Sequence, residues 1–157
     1  GKPMGNGHPI GAVITSDEIS KSFERGVEFF SSFGGNPVSC AAGLAVLDVI
    51  EEENLQNNAK NVGDYYLKQL NILKKEFSCI GDVRGAGLFL GIEIVEKNSK
   101  KPNTTLAQKL KNELRKKNIL VGSDGPFNNV IKTKPPICFT KENVDTVCLE
   151  IRKILDK

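Results

Sequence analysis

Apolar residues change their spacing several times along the 157 residues, and each change marks an element. Gly11 to Thr15 (GAVIT) is a short, β-branched apolar run that predicts a buried strand. Ser16-Asp17-Glu18 opens a short helix toward Phe23, because Ser and Asp suit a first helical turn. After Pro37 the chain mixes Val38, Leu44, Val46, Leu47, Val49 and Ile50 with Ala41, Ala42, Gly43 and Ala45, which predicts a helix buried on most sides. Glu51-Glu52-Glu53-Asn54 marks its polar exit. Val62, Tyr65, Tyr66, Leu67, Leu70 and Leu73 fall on a 3.6-residue stripe and predict a second long helix over 55–77. Residues 82–95 (DVRGAGLFLGIEIV) read as one strand interrupted by glycines. Leu106, Leu110 and Leu114 recur every four residues and predict a helix over 104–118. Ile119 to Val121, Val130-Ile131 and Ile137 to Phe139 read as short strands. Thr140 caps a last helix whose stripe is Val144, Val147, Cys148, Ile151, Ile154 and Leu155.

The predicted order is β–α–loop–α–α–β–α–β–β–β–α, an α/β or α+β arrangement without internal repeats. A domain boundary falls within the long helical region, at residues 53–60, where nothing has the composition of a flexible linker.

Composition sharpens this picture without redirecting it. Hydrophobic residues make up 39% and charged residues 26%, the balance of a globular chain with its own core. The net charge of +3 is too slight a basic excess to predict nucleic-acid binding. No apolar run has the length of a membrane span. Cys40, Cys79, Cys138 and Cys148 form no CxxC pair and His8 is the only histidine, so a zinc site is not expected and the thiols read as free and mostly buried. The chain opens on Gly1-Lys2-Pro3 without Met and reads as part of a longer protein.

Candidate chemistry sits in two glycine loops, residues 1–11 and 33–36, whose backbone amides can approach an anion. A nucleotide P-loop needs its lysine after the glycines and at a helix start, whereas Lys2 precedes most of them. A dinucleotide fingerprint fails as well: after Gly5-Asn6-Gly7 and after Gly85-Ala86-Gly87 the third glycine comes one position late. A lysine held among small residues has another use, the formation of a Schiff base with a carbonyl group once its pKa is lowered. Lys2 is the candidate, with a solvated surface lysine as the alternative.

Four segments, taken in order, resemble the class III aminotransferases. Gly1-Lys2-Pro3-Met4-Gly5-Asn6-Gly7-His8-Pro9 is similar to that family's pyridoxal-phosphate lysine segment. Ser32-Phe33-Gly34-Gly35-Asn36-Pro37 resembles its Thr-Phe-Gly-Gly-Asn-Pro segment, and Val83-Arg84-Gly85-Ala86-Gly87-Leu88 its Arg-Gly-x-Gly-Leu strand. Lys132-Thr133-Lys134-Pro135-Pro136 sits where the family carries Arg-x-x-Pro-Pro. Asn6-Gly7-His8-Pro9, the run 43–48 (GLAVLD) and Asp124-Gly125-Pro126 further resemble the phospho-lyase branch, the alanine–glyoxylate aminotransferase 2-like group.

The resemblance implies an α/β fold, part of a fold-type I pyridoxal-phosphate enzyme. Residues 1–55 would be the C-terminal part of the large, cofactor-binding domain and 56–157 an α+β small domain. It implies that Lys2 is the catalytic, Schiff-base lysine. Ser32, Gly34 and Gly35 would meet the pyridoxal 5'-phosphate of a neighbouring subunit. Lys132 and Lys134 would bind substrate, unless they form a solvated pair. His8 reads as a turn or packing residue and Arg84 as structural. Phe127-Asn128 differ from the His-Arg pair of the phospho-lyase branch, and Lys132 offers a point charge in place of an arginine fork.

The implied reaction is elimination of phosphate and ammonia from a phosphorylated amine or amino acid, of the phosphoethanolamine or 5-phosphohydroxy-lysine class. The alternatives are an ω-amino-acid or alanine–glyoxylate-type transaminase and, from another class, a non-catalytic fragment or dimerisation module. The resemblance places the cofactor's Asp and aromatic partners upstream, so the 157 residues alone are expected to be inactive. It further implies a homodimer or homotetramer, mitochondrial or cytoplasmic, with no nucleic-acid or membrane partner.

Overall fold

The computed structural model describes residues 1, 3–26 and 28–156. They divide into two compact units, Gly1–Asn54 and Leu55–Lys157.

In the first unit, α1 (Asp17–Glu24) and α2 (Pro37–Glu52) do not pack on each other. The α2 start is where its sequence puts it. Pro37 supplies the first helical residue, and the Asn36 side chain accepts from the amides of Val38 and Ser39 at 3.0 and 3.2 Å. Two expectations fail in this unit. Residues 11–15 form no strand, and Val13 and Ile14 are 93% and 95% exposed. A strand requires a neighbour for its amides and carbonyls, and among the described residues of this unit none pairs with this run. Likewise α2 buries none of its residues, because within its own unit no element covers its apolar faces.

The second unit is a two-layer sandwich. Its sheet consists of β1 (Ile80–Ala86), β2 (Phe89–Ile94), β3 (Gly122–Asp124) and β4 (Val130–Thr133), all antiparallel in the order β1-β2-β4-β3. Helices α3 (Leu55–Glu76) and α4 (Thr104–Arg115) lie against it, and α5 (Lys141–Leu155) packs against both helices. Period-two alternation along β2 decides which face is covered. Leu90, Ile92 and Ile94 point into the core and are at most 1% exposed, whereas Phe89, Gly91 and Glu93 occupy the open face. The helical stripes meet this core through Tyr66, Leu70 and Leu73 of α3, Leu110 and Leu114 of α4, and Val144 and Ile151 of α5. Burying each Leu or Ile side chain contributes about 1.5–3 kcal/mol before entropy is counted.

The predicted strand over 82–95 is a hairpin. Ala86 pairs with Phe89, leaving the two-residue turn Gly87-Leu88. Gly87 takes φ +52°, and a Cβ at Gly85 (φ +147°) would stand 2.1 Å from the Phe89 carbonyl oxygen. Gly85 admits no side chain, and the left-handed Gly87 suits glycine or asparagine. The glycines that interrupt the pattern therefore reverse the chain.

Two short strands shift or vanish for reasons of hydrogen bonding. Ile119 donates its amide to the Leu114 carbonyl at 3.0 Å, closing α4 through a left-handed Asn118, so β3 starts only at Gly122. Residues 137–139 form a turn. Pro135 and Pro136 have no N–H to give a ladder, Phe139 donates to the Pro136 carbonyl at 2.9 Å, and Asn58 of α3 donates to the Ile137 and Phe139 carbonyls. The last helix keeps its predicted cap, a reciprocal box between Thr140 and Asn143.

The thiols divide evenly: Cys79 and Cys148 are buried, Cys40 and Cys138 exposed. Burial pushes the Cys148 thiol up to about 12, far from a thiolate at neutral pH.

A close backbone contact joins α3 to the hairpin. A Cβ on Gly63 would lie 2.2 Å from the Gly87 carbonyl oxygen. Alanine is favoured over glycine inside a helix by about 1 kcal/mol, but a backbone clash of this depth outweighs that gain. Gly63→Ala is therefore expected to destabilise the protein by roughly 2 kcal/mol or more in urea unfolding. Gly122→Ala, whose Cβ would meet only Lys132 at 3.6 Å, should change stability by less than about 0.5 kcal/mol. A stabilised Gly63→Ala would refute this account of the helix–hairpin contact.

Candidate active site

Lys2, the predicted catalytic lysine, lies outside the described residues. The segment that follows it is a series of turns. Met4 donates to the Gly1 carbonyl at 3.0 Å, Asn6 to Pro3 at 3.2 Å and His8 to Gly5 at 2.9 Å. Asn6 (φ +45°) and Gly7 (φ +106°) are both left-handed, as a tight two-residue turn of the primed type requires. Gly5 is buried, and a Cβ there would come within 2.3 Å of the His8 carbonyl oxygen.

The second glycine loop is also closed by its own bonds. Gly34 donates to the Ser31 carbonyl at 3.3 Å and Asn36 to Phe33 at 3.2 Å, while Gly35 takes φ +69°. Because the Asn36 side chain occupies the Val38 and Ser39 amides, an anion at this turn would meet serine hydroxyls and the turn backbone instead of those two amides.

These two loops face one open cleft of about 870 Å³, lined among others by His8, Ile10, Ser31, Gly34, Gly35 and Ser39. Among the described residues no acidic side chain lines it. Its serine hydroxyls and the backbone at Gly35, beside apolar Ile10, Phe33 and Val38, leave room for a phosphate group, while the Gly34 amide is already used by Ser31. Of the predicted cofactor contacts, Gly34 and Gly35 line the cleft. Ser32 is exposed in the same turn, and its neighbour Ser31 takes the lining position. Ser31 and Ser39 escape sequence reasoning. Ser39 is notable only because His8 Nε2 stands 2.9 Å from its Oγ, a contact across 31 residues.

Lys132 and Lys134 belong to the second unit. Lys132 lies on the open face of the sheet, in register with Gly91 of β2 and, beyond it, Arg84 of β1. These residues border a groove of about 470 Å³ whose floor at Gly91 has no side chain. Both cations are held by acids. Lys132 Nζ donates to Asp124 Oδ2 at 2.5 Å, and Arg84 donates to Asp82 and Glu93 at 2.9 and 2.7 Å. Lys134 is exposed just past β4, with its Nζ 5.4 Å from the centre of the Phe89 ring. Alternation thus sets the two lysines two positions apart, but they engage different partners.

Electrostatics follow these pairings. The Lys132 hydrogen bond, helped by the Gly125 amide, holds the Asp124 carboxyl below its ordinary range. Burial would raise Asp82, but the bonds from Arg84 and Lys74 outweigh it and leave that carboxyl low as well. Such a depressed carboxylate favours the folded state above its unfolded pKa, and the contribution fades as pH falls through the folded value. Lys132→Ala should move the Asp124 titration upward toward an unperturbed carboxylate and leave Asp82 in place, as followed by carboxyl NMR chemical shifts against pH. An unmoved Asp124 would show that the pair does not form in solution.

Known proteins match the chain along its whole length. Residues 1–155 match the family described as aminotransferase class-III. A Drosophila melanogaster protein named alanine–glyoxylate aminotransferase 2-like is 54% identical over 157 residues, 98% of this chain and 32% of that protein. A Caenorhabditis elegans protein named ethanolamine-phosphate phospho-lyase homolog 1 is 44% identical over 92% of this chain and 31% of its own length. Among solved structures, an Arthrobacter phospholyase in complex with phosphoethanolamine superposes with a TM-score of 0.96 at 42% identity, covering all of this chain and 37% of that one. The chain thus spans about a third of the length of the relatives it matches.

Proposed function

The chain belongs to the class III aminotransferase family, and on that premise we propose that the whole protein is a pyridoxal-phosphate-dependent phospho-lyase. It would eliminate phosphate and ammonia from a phosphorylated amine or amino acid, of the phosphoethanolamine or 5-phosphohydroxy-lysine class. The observation that carries this reading is the 0.96 superposition of the entire chain on a phospholyase bound to phosphoethanolamine.

Part of the machinery would come from residues of this chain. The Lys2 amine would hold the cofactor covalently and, once displaced by the substrate amine, take the proton from the substrate Cα. Pyridoxal 5'-phosphate supplies, when bound, a sink for the electron pair that this proton leaves behind. Ser32 would hydrogen-bond the cofactor phosphate through its hydroxyl, and Gly34 and Gly35 would let the backbone approach it, in the site of a neighbouring subunit. The serine hydroxyls of the cleft support this, as does the lack of acidic lining among the described residues. Breaking of the substrate C–O bond then expels phosphate, and water converts the remaining unsaturated amine to a carbonyl compound and ammonia. Lys132 and Lys134 would attract the substrate phosphate. Of the two, Lys134 is the readier, since it lies over an aromatic ring while Lys132 is bonded to Asp124.

A second reading is supported by the 54% identity to a protein named alanine–glyoxylate aminotransferase 2-like. A transaminase would use the same Lys2 and the same phosphate turn, but would return the proton instead of expelling a leaving group. A third concerns the 157 residues by themselves, a third of the relatives' length, which would act as a non-catalytic or dimerisation module.

The whole protein mixed with pyridoxal phosphate should develop a visible absorbance band that Lys2→Ala abolishes, and phosphate release from phosphoethanolamine should fall by about a thousandfold or more in that variant. Amino transfer to glyoxylate or pyruvate without phosphate release would overturn the lyase in favour of the transaminase. The 157-residue chain alone should release no measurable phosphate, and robust release would refute the modular reading.

A further inference from the structure

Resting on the class III reading above, we infer that His8 is a positioning residue: its imidazole ties the 3–8 turn to the first turn of α2, and so fixes the 32–35 turn, which would serve the neighbouring subunit's cofactor, against the segment that follows Lys2. The bond joins His8 Nε2 to Ser39 Oγ at 2.9 Å across 31 residues and is partly buried.

What makes this single contact consequential is how closely hydrogen bonds tie the chain on either side of it. Residues 3–8 are closed by two successive turn bonds, Asn6 to Pro3 and His8 to Gly5, and by a Gly5 that has no room for a side chain. A rigid turn with one side chain reaching out moves as a piece. On the other side, the Ser39 amide donates to the Asn36 side chain, and the Asn36 amide donates to the Phe33 carbonyl. A continuous path of hydrogen bonds therefore runs from Gly5 through His8, Ser39 and Asn36 to Phe33, inside the phosphate turn. His8 and Ser39 both line the cleft that these loops enclose. Either neutral tautomer sustains the link. With the proton on Nε2 the ring donates to Oγ, and with the proton on Nδ1 the serine hydroxyl donates to Nε2. An amide side chain of similar reach offers the same choice, which makes glutamine the conservative replacement.

The test uses the whole protein with His8→Ala, Ser39→Ala, the double variant and His8→Gln. Absorbance titration reads the pyridoxal-phosphate dissociation constant, and hydrogen exchange reads the amides of residues 3–12 and 31–40. Each single alanine variant should weaken cofactor binding by about three- to tenfold, the size of one net hydrogen bond. The double variant should lose no more than either single one, and His8→Gln should recover most of the loss. Exchange should quicken in both stretches in either single variant. Additive losses, or a His8→Ala variant that leaves 31–40 unchanged, overturn the tether. If His8→Ala does not fold, Ser39→Ala and His8→Gln decide the same point through exchange. A wild-type protein that takes up no cofactor would defeat the reading under "Proposed function", while the exchange result still decides the tether.

Discussion

The second unit is organised around the place where two backbones come close enough to exclude a side chain. Gly63 on α3 faces the Gly87 carbonyl, with the room for a Cβ already taken by that oxygen. The approach seats the β1–β2 turn directly on the helix. Leu88, at the tip of that turn, is thereby drawn into the core instead of pointing to solvent. Once the hairpin is fixed against α3, strand alternation decides the rest. Leu90, Ile92 and Ile94 face the helices, and the register with β4 adds Ile131 to the same side. The opposite face receives Arg84, Glu93, Lys132 and Asp124, which neutralise one another in pairs. The open face is thus a consequence of how the covered one is packed.

The first unit works differently. It buries little, and its shape comes from local hydrogen bonding in two glycine loops. Left-handed asparagine and glycine residues close the turns, and Asn36 satisfies the start of α2 with its own side chain. Capping in this way leaves hydroxyls and glycine backbone at the cleft, and among the described residues no acidic side chain lines it. The chemistry of the proposed phosphate turn is therefore set by which donors the fold has not already used.

Elements with a local cause were legible in advance. The stripes of α3, α4 and α5 bury most of the residues their spacing names, with Tyr65, Leu67, Leu106 and Leu155 only partly covered, because each helix lies against a partner in its own unit. The Thr140 cap and the Asn36-Pro37 start follow from side chains within three residues of the helix end. The glycine loops could be identified as a candidate site because turns of this kind need those residues in that order. The misses share another cause. The run 11–15 has the composition of a strand but no pairing neighbour in its unit, and α2 is apolar on faces that its unit does not cover. The stretch 82–95 reads as one strand because alternation is blind to a reversal at Gly87, and Ile137–Phe139 loses its strand to the amide of Asn58, 79 residues away from Ile137.

By itself, the sequence determined the helices of the second unit, the turns that require glycine or asparagine, and the family resemblance carried by four ordered segments. These depend on residue type and short spacing, which act through local sterics and hydrogen bonds. Only the tertiary structure decided that Gly63 and Gly87 share one space, that Lys132 belongs to Asp124 while Lys134 lies over Phe89, and that His8 reaches Ser39. Each of these joins residues whose neighbourhood is set by the packing or register of other elements, and no local rule of propensity or capping encodes which distant atoms will meet.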